Sequence, residues 1–86
     1  MGLWLNVGSS SLALYGFENL DKVAFPGVKR CDIRAGLPYS DATIEVIVCS
    51  HTLEHLHPFH ELPFVLREMR RVLLPGGVLR LAVPDL

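Results

Sequence analysis

The sequence predicts an α/β protein built on a parallel sheet, and three stretches carry that prediction. Ile44 to Cys49 is a nearly unbroken β-branched run, Leu62 to Leu73 repeats apolar residues at steps of three and four, and Val78 to Val83 is a second short apolar run. Strand, helix and strand in that order form a βαβ unit, whose crossover is right-handed and whose strands lie parallel in one sheet. Ligands of such sheets sit beyond the carboxyl ends of the strands, where His51, Glu54, Pro84 and Asp85 fall.

The elements follow from the amino terminus. Gly2 to Val7 is a short apolar run that stops at Gly8 and reads as a first strand. Gly8-Ser9-Ser10-Ser11 is a small-residue turn, and Leu12 to Leu14 is expected to add a short helix before Gly16. Phe17 to Leu20, ending at Asp21, and Val28 to Ile33, after the Pro26-Gly27 turn, are the expected second and third strands. The fourth, Ile44 to Cys49, has lost the alternation of a half-exposed strand, as happens when helices cover both faces. On the helix, Leu62, Val65, Leu66, Met69, Val72 and Leu73 share one side, and Arg67, Glu68, Arg70 and Arg71 form the solvated side. Pro63 suits the first turn, where a missing amide hydrogen costs nothing, and Glu61 suits the positive end of the dipole. Pro75-Gly76-Gly77 is then expected to turn the chain into the fifth strand.

Composition narrows the function. The 86 residues are expected to form one domain, residues 1–86, half apolar and one fifth charged. A formal net charge of −1 argues against a nucleic-acid groove or an anionic membrane as partner. Met1 to Val7 shows neither the basic nor the long apolar region of a secretory signal, and no apolar stretch is long enough to span a membrane. Cys31 and Cys49 lie eighteen positions apart and form no CxxC pair, so two free thiols in a reducing compartment are expected.

Three constellations could carry chemistry. A strand, a glycine turn and a helix start can hold an anionic or polar cofactor, because turn amides point outward and small side chains admit the ligand to the backbone. Asp21, at the end of the neighbouring strand, is placed to accept two ribose hydroxyls. Asp32 could accept from an adenine amino group or equally cap a turn. His51, Glu54 and His55 match the H-x-x-E-H spacing of a zinc peptidase. That chemistry needs both histidines on one helical face and an acid from a later helix; here His51 follows a strand, Pro58 comes shortly after, and no helix is expected beyond the one carrying Arg67 to supply that acid, so no metal is expected. His57 and His60 read as solvent-facing loop residues. No G-x-S-x-G elbow supports a nucleophilic triad.

Taken in order, Leu5-Asn6-Val7-Gly8-Ser9-Ser10, Asp21, Asp32-Ile33-Arg34 with Gly36-Leu37-Pro38-Tyr39-Ser40-Asp41, Ser50-His51-Thr52-Leu53-Glu54-His55 and Arg71-Val72-Leu73-Leu74-Pro75-Gly76-Gly77 resemble the class I S-adenosylmethionine-dependent methyltransferases, closest to the type 11 group. The resemblance implies a Rossmann-like parallel sheet of order 3-2-1-4-5, a partial class I methyltransferase fold without the final strands, whose exposed fifth strand would promote homo-oligomers. It implies S-adenosylmethionine as cofactor. Gly8 with the backbone of Ser9 and Ser10 would hold its methionine part, Asp21 the ribose, Asp32 and Ile33 the adenine, and Ser50 and His51 the pocket wall. The family's second glycine is replaced, giving Gly8-Ser9-Ser10.

Methyl transfer from a sulfonium needs acceptor and methyl held in line, with a base only where the acceptor must lose a proton. His51 has a suitable ordinary pKa, but the residues favour a positional role for it and identify no catalytic residue. The expected activity is therefore methyl transfer to a small-molecule or glycan-like acceptor in the cytoplasm. The alternatives are a non-catalytic remnant acting as a folded or interaction module and, further off, a nicotinamide-binding Rossmann unit, for which the turn holds too little glycine.

Overall fold

A computed structural model describes residues 2–9, 13–50 and 52–82 of the chain. Its strands are β1 (Leu3–Val7), β2 (Glu18–Asp21), β3 (Lys29–Arg30), β4 (Ile44–Ser50) and β5 (Leu73–Ala82), and its one α-helix among the described residues is α1 (Glu61–Val72). The strands form a single sheet in the order β3-β2-β1-β4-β5, with every neighbouring pair parallel, as the sequence predicts.

Register fixes which side chains share a face. Leu5 aligns with Ile47, Val7 with both Leu20 and Cys49, and Ile47 with Leu79. In a parallel pair aligned residues point the same way. That face meets Val65, Met69 and Val72 of α1, all fully buried, to make the core, which Ile33 and Leu37 extend. Leu62 is only half-buried and Leu66 is exposed, so the apolar stripe of α1 is narrower than the spacing suggests.

The helix end is fastened by one side chain. Arg71 uses five N–H donors: to Glu68 Oε2 (2.8 Å) and Oε1 (3.0 Å), Tyr39 O (2.9 Å), Leu37 O (3.0 Å) and Asp41 Oδ1 (2.8 Å). The guanidinium holds the Glu68 carboxyl down at about 2, helped by the Leu37 amide that donates to it. The Ala42 and Thr43 amides donate to the carbonyls of Arg71 and Val72, which the helix leaves without internal partners. Arg71 therefore belongs to the packing and not to the wet face expected of it.

Three elements differ from expectation. The third strand shortens to Lys29–Arg30, because Ile33 enters a 3-10 turn, Ile33–Ala35, with Asp32 as its N-cap. Strand β5 begins at Leu73, directly after α1; Leu73 pairs with Ile44 and Val78 with Val46, so Leu74-Pro75-Gly76-Gly77 is an irregularity inside the strand and not a turn before it. Gly76 has φ +80°, and a Cβ on Gly77 would come within 2.8 Å of the Leu74 carbonyl, so both glycines are needed there. Ala13 and Leu14 are not helical, and Leu12 lies outside the described residues.

What stands in for that helix is a pair of buried amides. Asn6 and Asn19 lie on the sheet face opposite α1, aligned across β1 and β2. Asn6 Nδ2 donates to Asn19 Oδ1 (2.9 Å), and the same oxygen accepts from the Leu14 amide (2.9 Å). Asn19 Nδ2 donates to the carbonyls of Leu14 and Phe17 (3.1 Å each). Leu14 and Phe17 are thus tied to the sheet, and Phe17 packs edge-on against Trp4, with ring centroids 5.4 Å apart. Asn19→Ala leaves buried donors without this acceptor and should cost about 2–3 kcal/mol in urea unfolding. A loss below about 0.5 kcal/mol, the range of an ordinary surface substitution, would mean that the amides do not hold the connection.

Candidate functional site

A cavity of about 410 Å³ opens at the carboxyl end of the sheet. That is within the range of small-molecule sites. β1 delivers Val7 and then Gly8 and Ser9; β2 delivers Leu20, Asp21 and then Lys22. The segment after β3 adds Cys31, Asp32, Ile33 and Arg34, while Ser50, Thr52, His55 and Leu56 follow β4. Gly8, Ser9, Asp21, Asp32, Ile33 and Ser50, all expected from the sequence, therefore line one space. Ser10, His51, Pro84 and Asp85 lie outside the described residues.

The glycine turn works differently from expectation. The Gly8 and Ser9 amides both donate to the Leu20 carbonyl, at 2.9 and 3.0 Å. They tie the end of β1 to the end of β2 and so are not N–H donors aimed at a ligand. Gly8 is required on two counts: φ is +72°, and a Cβ there would collide with Thr52 Oγ1. Thr52 Oγ1 donates to the Ser50 carbonyl (3.0 Å), which keeps it against Gly8. Sequence spacing could not reveal Thr52, because its contact joins two loops more than forty residues apart.

The acids behave unlike one another. The Val23 amide donates to Asp21 Oδ1 (3.0 Å), an Asx turn that orients the carboxylate at the end of β2. Asp32 accepts at Oδ1 from the Arg34 amide (3.1 Å) and Nε (2.9 Å), and at Oδ2 from Nε (3.2 Å) and Nη2 (2.6 Å). Arg34 holds the Asp32 carboxyl down at about 2. Asp32 therefore caps the 3-10 turn, one of its two expected roles, and also lines the cavity. Arg34 also reaches Glu61 Oε2 at 3.7 Å, linking the pocket rim to the start of α1. On the inner side, burial pushes the Cys49 thiol up to about 11 and raises that of Cys31 as well.

His57 and His60 stack at 4.6 Å in the exposed loop before α1. Among the described residues no group of three or more histidines, cysteines or acids is arranged to hold a metal ion.

The sequence profile described as "Methyltransferase domain" matches residues 10–81. The chain belongs to that family. This methyltransferase domain is 47% identical over 49 residues to the probable methyltransferase ltbC of Aspergillus luteorubrus, a match covering 56% of the chain and 17% of the relative. A solved Methanococcus maripaludis protein, named for S-adenosyl-L-methionine-dependent methyltransferase activity, shares the fold with a TM-score of 0.71 at 16% identity. That likeness covers 93% of the methyltransferase domain and 48% of the other chain.

Gly8→Ala in this domain should cost about 2–4 kcal/mol, from the left-handed backbone and the Thr52 collision together. Adding Thr52→Ala should recover part of the loss, because it relieves the collision and leaves the backbone strain. Thermal unfolding of the single and double variants checks this; a double variant no more stable than Gly8→Ala would show that Thr52 is not the obstacle.

Proposed function

We propose that this chain forms the S-adenosylmethionine-binding part of a methyltransferase acting on a small-molecule or glycan-like acceptor. The observation that carries the proposal is the cavity that brings Gly8, Asp21, Asp32, Ile33 and Ser50 together at the carboxyl edge of the sheet. These residues suit the cofactor. Asp21 offers a carboxylate to vicinal ribose hydroxyls. Ile33 offers an apolar wall to a flat base and Asp32 an acceptor for its amino group, while Gly8, closed against Thr52, shapes the end of the cavity. Ser9 and Ser10 would flank the methionine part, and Ser50 and His51 the wall after β4.

When bound, the cofactor supplies a methyl group made electrophilic by its sulfonium. What remains for the chain is to bind, orient and exclude water. Thr52, His55 and Leu56 form the wall on the β4 side, where an acceptor would be held against the methyl. His51 keeps the positional role assigned from the sequence, and no catalytic base is assigned. A cytoplasmic setting fits the free thiols of Cys31 and Cys49.

A second reading, a folded module that does not catalyse, is favoured by one observation: Ala13 and Leu14, after the glycine turn, are not helical. The chain also spans 17% and 48% of the two methyltransferases it matches.

Calorimetry with S-adenosylhomocysteine separates the readings. The folded chain should bind it, and Asp21→Ala should weaken binding by about 1.5–3 kcal/mol through loss of charge-assisted hydrogen bonds. No detectable heat from a demonstrably folded chain would favour the module.

A further inference from the structure

Asp32 and Arg34, which both line the cavity, are locked to each other. The guanidinium gives Nε to Oδ1 (2.9 Å) and Nη2 to Oδ2 (2.6 Å), and the Arg34 amide donates to Oδ1 as well (3.1 Å). Its remaining nitrogen, Nη1, lies 3.7 Å from Glu61 Oε2, and Glu61 Oε1 accepts from the His57 amide (2.9 Å), so the first turn of α1 braces the pair. A carboxylate has about four acceptor sites, and both on Oδ1 are taken. The Nε contact to Oδ2 (3.2 Å) is the long arm of a bond whose short arm goes to Oδ1, so Oδ2, beside Nη2, keeps one site for a ligand. Little of the fold depends on this pair: the side chains of Arg34 and Asp32 are 49% and 41% exposed, and ion pairs so open to water add little stability. What the pair fixes is direction, because a carboxylate ordered before binding loses no rotamer freedom on binding.

We propose that Arg34 is the positioning residue for recognition of the adenine amino group, holding Asp32 so that Oδ2 is the acceptor offered to the base. This rests on the S-adenosylmethionine reading of the cavity. An amino group would donate to Oδ2, whereas a base with a carbonyl at that place would meet it with a lone pair. The same contacts keep Asp32 ionised, with its carboxyl held down at about 2, and an ionised carboxylate has no proton to give such a carbonyl. A site built to accept a hydrogen bond rejects the analogue that cannot donate it.

Calorimetry with S-adenosylhomocysteine and S-inosylhomocysteine, which carries a carbonyl in place of the amino group, reads this directly. The unmodified chain should bind the first about tenfold more tightly, as expected for one hydrogen bond to a charged group at a half-open site. Arg34→Met, similar in length and without donors, should reduce that ratio to about twofold, and Arg34→Lys, which keeps the charge but not the planar fork, should restore it only in part. Circular dichroism checks that each variant folds. A ratio near one in the unmodified chain would overturn the proposal. So would Arg34→Met weakening both ligands equally with the ratio kept, or Arg34→Lys restoring the ratio in full. Failure of both ligands to bind the folded, unmodified chain would instead remove the S-adenosylmethionine reading itself, and this proposal with it.

Discussion

Ten residues, 8–17, separate the end of β1 from the start of β2, and the rest of the structure follows from that shortness. Parallel neighbours usually need a crossover of a dozen residues or more, commonly a helix, to carry the chain back along the sheet. Among the described residues of this connection, Leu14 and Phe17 are bonded to the sheet through Asn19. Backbone groups outside regular structure must find partners, and the buried Asn19 amide supplies three of them at Leu14 and Phe17. Asn6 then satisfies Asn19 from the neighbouring strand. Two polar side chains thus occupy positions that would otherwise be apolar, and they do so because of the connection that they hold.

The same shortness shapes the site. The turn closes back on β2, and the Gly8 and Ser9 amides satisfy themselves on the Leu20 carbonyl. The turn is a fixed wall of the cavity in place of a cradle of donors. The other strand ends place their side chains around the same cavity: Asp21 oriented by its Asx turn, Asp32 gripped by Arg34, and Thr52 pressed against Gly8. Across the sheet, Arg71 performs the corresponding task for segment 37–41, which follows the Asp32-Ile33 wall and leads into β4.

Much of this was legible in the sequence. The β-branched run into β4 and the three-and-four spacing of α1 fix the βαβ unit locally, and the ordered motif blocks imply the sheet order and the residues that line the cavity. The departures share a cause: each depends on contacts between segments distant in the chain. Arg71 reads as solvated because only the loop at 37–41, thirty residues away, buries its donors. Lys29–Arg30 ends early because Asp32 caps a 3-10 turn. Leu73 joins the strand, not the helix, because it pairs with Ile44. Asn6 reads as an interruption of an apolar strand until Asn19 is seen beside it.

Residue-resolved NMR of the chain titrated with S-adenosylhomocysteine tests the central claim most directly: a fixed cavity at the carboxyl edge, walled by the closed glycine turn, receives the cofactor. Shifts should concentrate at the amides of Gly8, Asp21, Ile33 and Ser50, with those of Trp4 and Val78, which do not line the cavity, unchanged. A well-dispersed spectrum that does not respond to the ligand, or shifts concentrated at Trp4, Val46 and Val78, would contradict it.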